Sequence, residues 1–173
     1  PQYNHLLGQY NRVLFQRNNL LRDIREKKSK KESLQVWNEQ LCRYGARLLS
    51  MRIKIFSNLS PLIRSIHHDL TGKKENLDIR YLSSLRVNIP SSEDDIYGQF
   101  LKELQGLEEE EIKRAQTLVG PHRDDFALYI DNRDSRVYGS QGQQRTVVLT
   151  LKISQIQHWH KETGEYPILL LDD

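Results

Sequence analysis

The sequence predicts an α+β protein: a long antiparallel helical hairpin forming an arm, then a smaller mixed unit of short strands and one more helix. Two observations carry that prediction. Apolar residues recur by threes and fours from Tyr3 to Ile24, and at heptad spacing from Leu34 to Ile55, which is the signature of helix faces. After Gly72 the pattern changes to short runs, "LDIRYLS", "FALYI" and "YPILLL", whose lengths and β-branched or aromatic content suit strands.

The first helix is read from Tyr3, Leu6, Tyr10, Val13, Leu20 and Ile24, widened by Leu7, Leu14 and Leu21, with Arg17 as a polar interruption. At about 1.5 Å per residue it extends on the order of 35 Å. The basic stretch "KKSKKES" is the turn, and Leu34, Trp37, Leu41, Tyr44, Leu48, Met51 and Ile55 form the second stripe. Neither stripe is stable in water, so each is expected to bury the other, giving a hairpin over 2–71. Pro61 should kink the second helix, or stop it with Ser60 capping a restart. Gly72 supplies a stop.

A strand-like segment near 77–83 follows. Ser92 then reads as the cap of a third helix, about 93–118, with Glu93, Asp94 and Asp95 in its first turn and Ile96, Phe100, Leu104 and Leu107 as its apolar face. The acidic run Glu108 to Glu111 reads as a solvated face. "GPHRDD", Gly120 to Asp125, breaks the helix, and "FALYI" and "SRVY" read as two short strands around the turn "DNRD". A final helix, "VVLTLKISQIQHW", precedes "YPILLLDD", read as a buried strand ending in carboxylates. The expected division is a helical arm domain over 1–119 and a second lobe over 120–173.

The bulk numbers narrow the function classes. Of 173 residues, 37% are hydrophobic and 28% charged, with a net charge of +3. That balance suits elongated helices and permits a nucleic-acid partner without requiring one. A single cysteine, Cys42, excludes an internal disulfide and suits a reducing, cytoplasmic compartment. No apolar run approaches the roughly 18 residues of a membrane span. The chain begins at Pro1, without methionine, and stops just after an apolar run, so both ends are expected to be cuts in a longer protein.

Two constellations can carry chemistry. Ile168 to Leu171 reads as a central strand ending in Asp172 and Asp173. Such a strand ends in acids where its carboxyl end meets a cleft. There an aspartate can hold Mg²⁺ and the next acid can polarise an attacking water, the Walker B pattern; a pair of solvated loop acids is the plainer alternative. The second is "GSQGQQRT", Gly139 to Thr146. A helix starting near Gln141 to Gln143 presents unpaired N–H groups and the positive end of its dipole, which makes a phosphate site. Gly142 permits close approach, and Ser140 and Gln143 can add side-chain hydrogen bonds. An ordinary polar cap is the alternative. A phosphate-binding helix start followed by a Walker B strand is the order of the C-terminal half of an ABC-type ATPase head. The G-x-x-x-x-G-K-[ST] loop of the first half is absent from the chain.

"YNRVLFQRNNLL", "GPHRDD", "GSQGQQRT" and "GEYPILLLDD" resemble, in order and over nearly the whole chain, the RecF family of bacterial recombination-repair ATPases. The resemblance implies a two-lobed, ABC-type head related to those of SMC proteins, with a helical domain inserted between the lobes, and function in DNA replication, repair and the SOS response. ATP would join two heads as a homodimer. Ser140, Gln141, Gly142 and Gln143 would occupy the signature motif and contact the ATP of the partner subunit. Asp172 would be the Mg²⁺-linked acid, and Asp173 would stand where most ABC ATPases have a catalytic glutamate. Slow ATP hydrolysis follows for the whole protein, and none for this chain without a Walker A lysine. DNA, RecR and RecO are the implied partners, with a functional link to RecA.

His122, Arg123 and Asp124 either sense nucleotide, organise the lobe interface or form a structural corner. Lys27, Lys28, Lys30 and Lys31 either contact DNA phosphates or solubilise the turn. His158 and His160 diverge on their helix and make a poor metal pair. Two rival readings are an SMC-like structural ATPase with a coiled-coil arm, which the early basic turn disfavours, and a non-catalytic helical adaptor.

Overall fold

The computed structural model describes residues 2–86 and 92–170. In chain order the elements are α1 (Gln2–Arg25), a 3-10 turn (Lys31–Ser33), α2 (Leu34–Leu70), β1 (Leu77–Leu82), α3 (Glu93–Arg114), β2 (Asp125–Ile130), β3 (Arg133–Asp134), α4 (Ser135–Tyr138) and α5 (Gln141–Thr163). They fall into two compact units, Pro1–Ile53 with Ser83–Asp125, and Lys54–Leu82 with Phe126–Asp173. This division does not follow the expected 1–119 and 120–173. The strands β1 and β2 come from either side of α3 in sequence, and Lys54–Leu82, which ends in β1, groups with Phe126 onward.

In the first unit α1 and α2 form the expected antiparallel hairpin. Arg52 Nε donates to the Tyr3 hydroxyl at 3.0 Å and Arg17 Nε to Asn38 Oδ1 at 2.7 Å, while Leu21 and Leu34 share a buried cluster with Ile24 and Ile112. As the position on α1 advances, its partner on α2 recedes by the same step, which is antiparallel register. The turn carries Lys27 at φ 60. α3 begins as expected: Ser92 accepts from the Asp95 N–H, and the Asp95 carboxylate accepts from the Ser92 N–H, a capping box. It ends earlier than the expected 118, because Ala115 adopts the left-handed conformation (φ 53) and closes the last turn onto Glu111 and Ile112. Gly45 explains the closeness of α2 and α3: a Cβ there would lie 2.5 Å from the Phe100 ring.

The centre of this unit is polar. Arg17, read as an interruption in the stripe, is fully buried. Its Nη2 donates to Glu111 Oε2 at 2.6 Å, its Nη1 to Thr117 Oγ1 at 2.8 Å and its Nε to Asn38. The Leu118 N–H completes Glu111 at 2.7 Å. Glu111 therefore leaves the solvated acidic face predicted for it: its side chain is 0% exposed. A buried ion pair is tolerated when its remaining hydrogen-bonding capacity is filled, and removing one partner of such a pair costs about 3–5 kcal/mol.

In the second unit the later part of α2 packs Ile63 on Leu77, Leu128, Ile130 and Val147, with Leu59, Ile79, Phe126 and Leu151 around them. Pro61 lies inside α2, which runs on unbroken to Leu70. Gly72 (φ 62) follows that end as expected, and the Lys73 N–H bonds back to His68 O at 2.7 Å. The sheet has the order β1-β2-β3. β2 and β3 are antiparallel, pairing Tyr129 with Asp134 and Ile130 with Arg133. Asp131 and Asn132 between them both have positive φ, 46 and 65, the two-residue turn that matches strand twist. "SRVY", predicted as a strand, is instead α4. Asp134 ends β3 and at once caps the helix by accepting from the Arg136 N–H, which commits the next residues to a helical turn.

The predicted strand of "YPILLLDD" is not formed by its described part. Residues 165–170 carry no regular structure, and Ile168 and Leu170 are 90% and 89% exposed. A strand exists only when a neighbour takes its backbone groups, and none does so among the described residues. Leu171, Asp172 and Asp173 lie outside them.

Candidate functional site

The polar run Gly139 to Thr146 forms the start of α5, as its composition predicts. Ser140 is the N-cap (φ −62, ψ 161). Its Oγ accepts from the Gln143 N–H at 3.2 Å, and Gln143 Oε1 accepts from the Ser140 N–H at 2.9 Å. This reciprocal box occupies two donors and leaves the Gln141 and Gly142 amides at the open end of a 23-residue helix, where the helix dipole is positive. Ser140, Gln141 and Gly142 are exposed, so the turn faces outward.

The glycines at this turn have different causes. A Cβ on Gly139 would lie 2.5 Å from the Ser135 carbonyl oxygen, so the chain itself requires glycine there. At Gly142 a Cβ would meet only Ser140 Oγ, at 4.0 Å. Among the described residues nothing demands glycine at that position. Gln144, not singled out in the sequence, staples the turn from behind: its Nε2 reaches Ser135 O at 3.2 Å and Gly139 O at 3.3 Å.

The Gln143 side chain has partners within the protein: its Oε1 accepts from the Ser140 N–H, and its Nε2 donates to Glu75 Oε1 at 3.0 Å. Glu75 in turn meets His67 Nε2 at 3.2 Å, and His67 Nδ1 meets Thr150 Oγ1 at 3.0 Å. Sequence reading missed Glu75 and His67. The signal for His67 was a histidine one turn beyond Ile63 on the buried stripe of α2; Glu75 had none. Beside the turn, Gln141, Gln144, Arg145, Val148, Leu149 and Lys152 line an open hollow of about 450 Å³.

In the first unit "GPHRDD" folds as a hydrogen-bonded corner. Gly120 (φ 121) would place any Cβ 2.5 Å from Phe100 and 2.7 Å from the Tyr10 hydroxyl. Its N–H donates to Ser84 Oγ at 2.8 Å, and Ser84 donates to Asp124 through both N–H and Oγ, at 2.7 and 2.8 Å. His122 Nδ1 lies 2.7 Å from the Tyr10 hydroxyl and Nε2 lies 3.3 Å from Thr117 O; Arg123 donates to the same carbonyl. Burial holds the Tyr10 phenol in its protonated form and lowers the His122 pKa. The neutral tautomer with a proton on Nε2 fits both contacts.

At the basic turn, Lys28 pairs with Glu26 at 2.6 Å and Lys31 contacts Glu109. Lys27 and Lys30 are exposed. The Cys42 thiol is buried, and burial pushes its pKa up to about 12, so it is an inert core group. No described helix is long and apolar enough to cross a membrane.

No family model matches the chain. Over 173 residues it is 56% identical to the DNA replication and repair protein RecF of Pelotomaculum thermopropionicum, covering all of this chain and 48% of that protein. To RecF of Desulforamulus reducens it is 49% identical, covering 47% of that protein. Two solved structures of the recombination mediator protein RecF in the RecFOR pathway, one as RecF-ATPrS and one as RecF-ATP, superpose with a TM-score of 0.93. Each is 38% identical and covers 99% of this chain and 46% of the solved one. The chain thus spans about half the length of the relatives it matches.

Proposed function

Since the chain belongs to the RecF family, we propose that it is the arm and the signature-bearing part of an ABC-type, DNA-binding ATPase of recombinational repair. The observation that carries this reading is the α5 start: an outward turn with open amides at Gln141 and Gly142, where Gly142 has open space around it among the described residues. These groups suit an anion, and two of the solved relatives are RecF with ATP or its analogue.

In this reading the ATP is held mainly by another copy of the whole protein. The turn supplies amide and Ser140 hydroxyl donors to its terminal phosphate, so two copies associate only when nucleotide is present. Asp172 would anchor Mg²⁺ and Asp173 would orient the attacking water, roles proposed from the family motif. Mg²⁺, when bound, would neutralise phosphate charge. Hydrolysis would remove the phosphate that the turn grips and release the pair from DNA, in work with RecR and RecO toward loading RecA at gaps. Lys27 and Lys30 are the turn lysines best placed to meet DNA phosphates, since Lys28 and Lys31 have acidic neighbours. The arm reverses after Arg25, which favours this reading over a long coiled-coil arm.

The test is Ser140→Arg in the full-length protein, followed by sedimentation velocity with a non-hydrolysable ATP analogue. The bulky cation should block the approach of a second head and abolish nucleotide-driven dimerisation, while the monomer keeps its ATP affinity. An unchanged dimer fraction overturns the cross-subunit role.

A further inference from the structure

We propose that Glu75, held by His67, is a positioning residue that sets the geometry of the Ser140 turn. The inference rests on the reading of that turn as the nucleotide-facing element, and it assigns a new residue to it.

A carboxylate only accepts hydrogen bonds, whereas a glutamine amide has one accepting and one donating end. Because Glu75 Oε1 sits 3.0 Å from the Gln143 side chain, the end facing it must be the NH₂. The carbonyl end is thereby turned to the Ser140 N–H at 2.9 Å. Glu75 thus selects the amide orientation that the capping box needs. With the amide reversed, its NH₂ would meet the Ser140 N–H, donor against donor.

Glu75 is itself fixed. His67 is 0% exposed and Glu75 only 23%. His67 lies between two partners, with Nε2 at 3.2 Å from Glu75 Oε2 and Nδ1 at 3.0 Å from Thr150 Oγ1. The Thr150 hydroxyl also reaches back to Thr146 O at 2.8 Å, one turn earlier on α5. The contacts run from the body of α5, through the end of α2 and the segment before β1, back to the first turn of α5. A hydrogen bond accepted by a carboxylate is stronger than one between neutral groups. That favours one side-chain orientation over its alternative. The contacts of Glu75 reach the turn through the Gln143 side chain, so its effect passes through Gln143.

The test uses the full-length protein with Glu75→Ala, Gln143→Ala and the double variant. The readouts are the dimerisation constant with a non-hydrolysable ATP analogue, monomer ATP affinity and the thermal unfolding midpoint. Glu75→Ala should weaken nucleotide-driven dimerisation roughly tenfold, with monomer affinity kept. In the double variant the loss should match that of Gln143→Ala alone, because both changes act on one element. Wild-type dimerisation by Glu75→Ala, fully additive losses, or an equal loss of monomer ATP affinity would each overturn the proposal. Glu75→Gln, which keeps the volume but not the acceptor-only character, should show the same weakening if the alanine variant folds poorly; dimerisation at the wild-type level would count against it. Ser140→Arg separates the two readings. If it abolishes dimerisation while Glu75→Ala does not, only the positioning role falls; if it has no effect, the nucleotide reading itself falls.

Discussion

At the scale of single residues, the Tyr10–His122 contact has a pH consequence. The His122 pKa lies below its ordinary value of 6.5, chiefly because burial disfavours the imidazolium. The folded chain resists a proton that the unfolded chain accepts near that pH. The sign follows from linkage: this contribution to stability is complete above the unfolded pKa and is lost as pH falls through 6.5 toward the folded value. Chemical unfolding measured from about pH 7.5 down to 5 should therefore show wild-type stability falling more steeply than that of His122→Gln, which has no such proton to take up. Parallel curves would refute the linkage. Arg17 and Glu111 mark where residue-level reading stopped. Both lay in plain view, one as a gap in an apolar stripe and one at the end of an acidic run. Spacing assigns a face to a residue but not a counter-charge, and the partners here are separated by 94 positions.

At the scale of elements, the long helices, the Ser92 cap and the Gly72 stop were legible, because each rests on local chemistry, and so was a turn within "DNRD", although Arg133 and Asp134 of that run form β3. Misreadings occurred where local signals compete. "SRVY" has strand-like composition, but Asp134 caps it into helix. α3 ends at Ala115, a left-handed residue with no compositional mark. The start of α5 gives an element-scale prediction. Gly142→Ala replaces glycine in a first turn with open space around it. It should leave the unfolding midpoint unchanged or raise it, since alanine is favoured over glycine in helices by up to about 1 kcal/mol. In the full-length protein it should nonetheless weaken nucleotide-driven dimerisation. Calorimetry and sedimentation on the same sample would check this; a variant that dimerises as well as wild type would show that nothing approaches the glycine closely.

At the scale of the whole molecule, the α+β class and the hairpin arm followed from periodicity, and the motif order led to the family. The grouping into units did not follow, because β1 and β2 are far apart in sequence and only long-range pairing joins them. The far half of the candidate site was equally hidden: Glu75 and His67 carry no motif, and they matter through what they hold.

The Arg17 cluster also dictates an order of assembly. During synthesis α1 and α2 leave the ribosome well before Glu111 and Thr117, which follow Arg17 by 94 and 100 positions. Until then the nascent hairpin would hold a bare guanidinium in its seam, with only Asn38 to solvate it. The pair should therefore breathe, admitting water, until α3 arrives with the missing anion. Hydrogen exchange on stalled nascent chains should show α1 amides near Arg17 gaining protection only after residue 117 has emerged; early protection would refute this order.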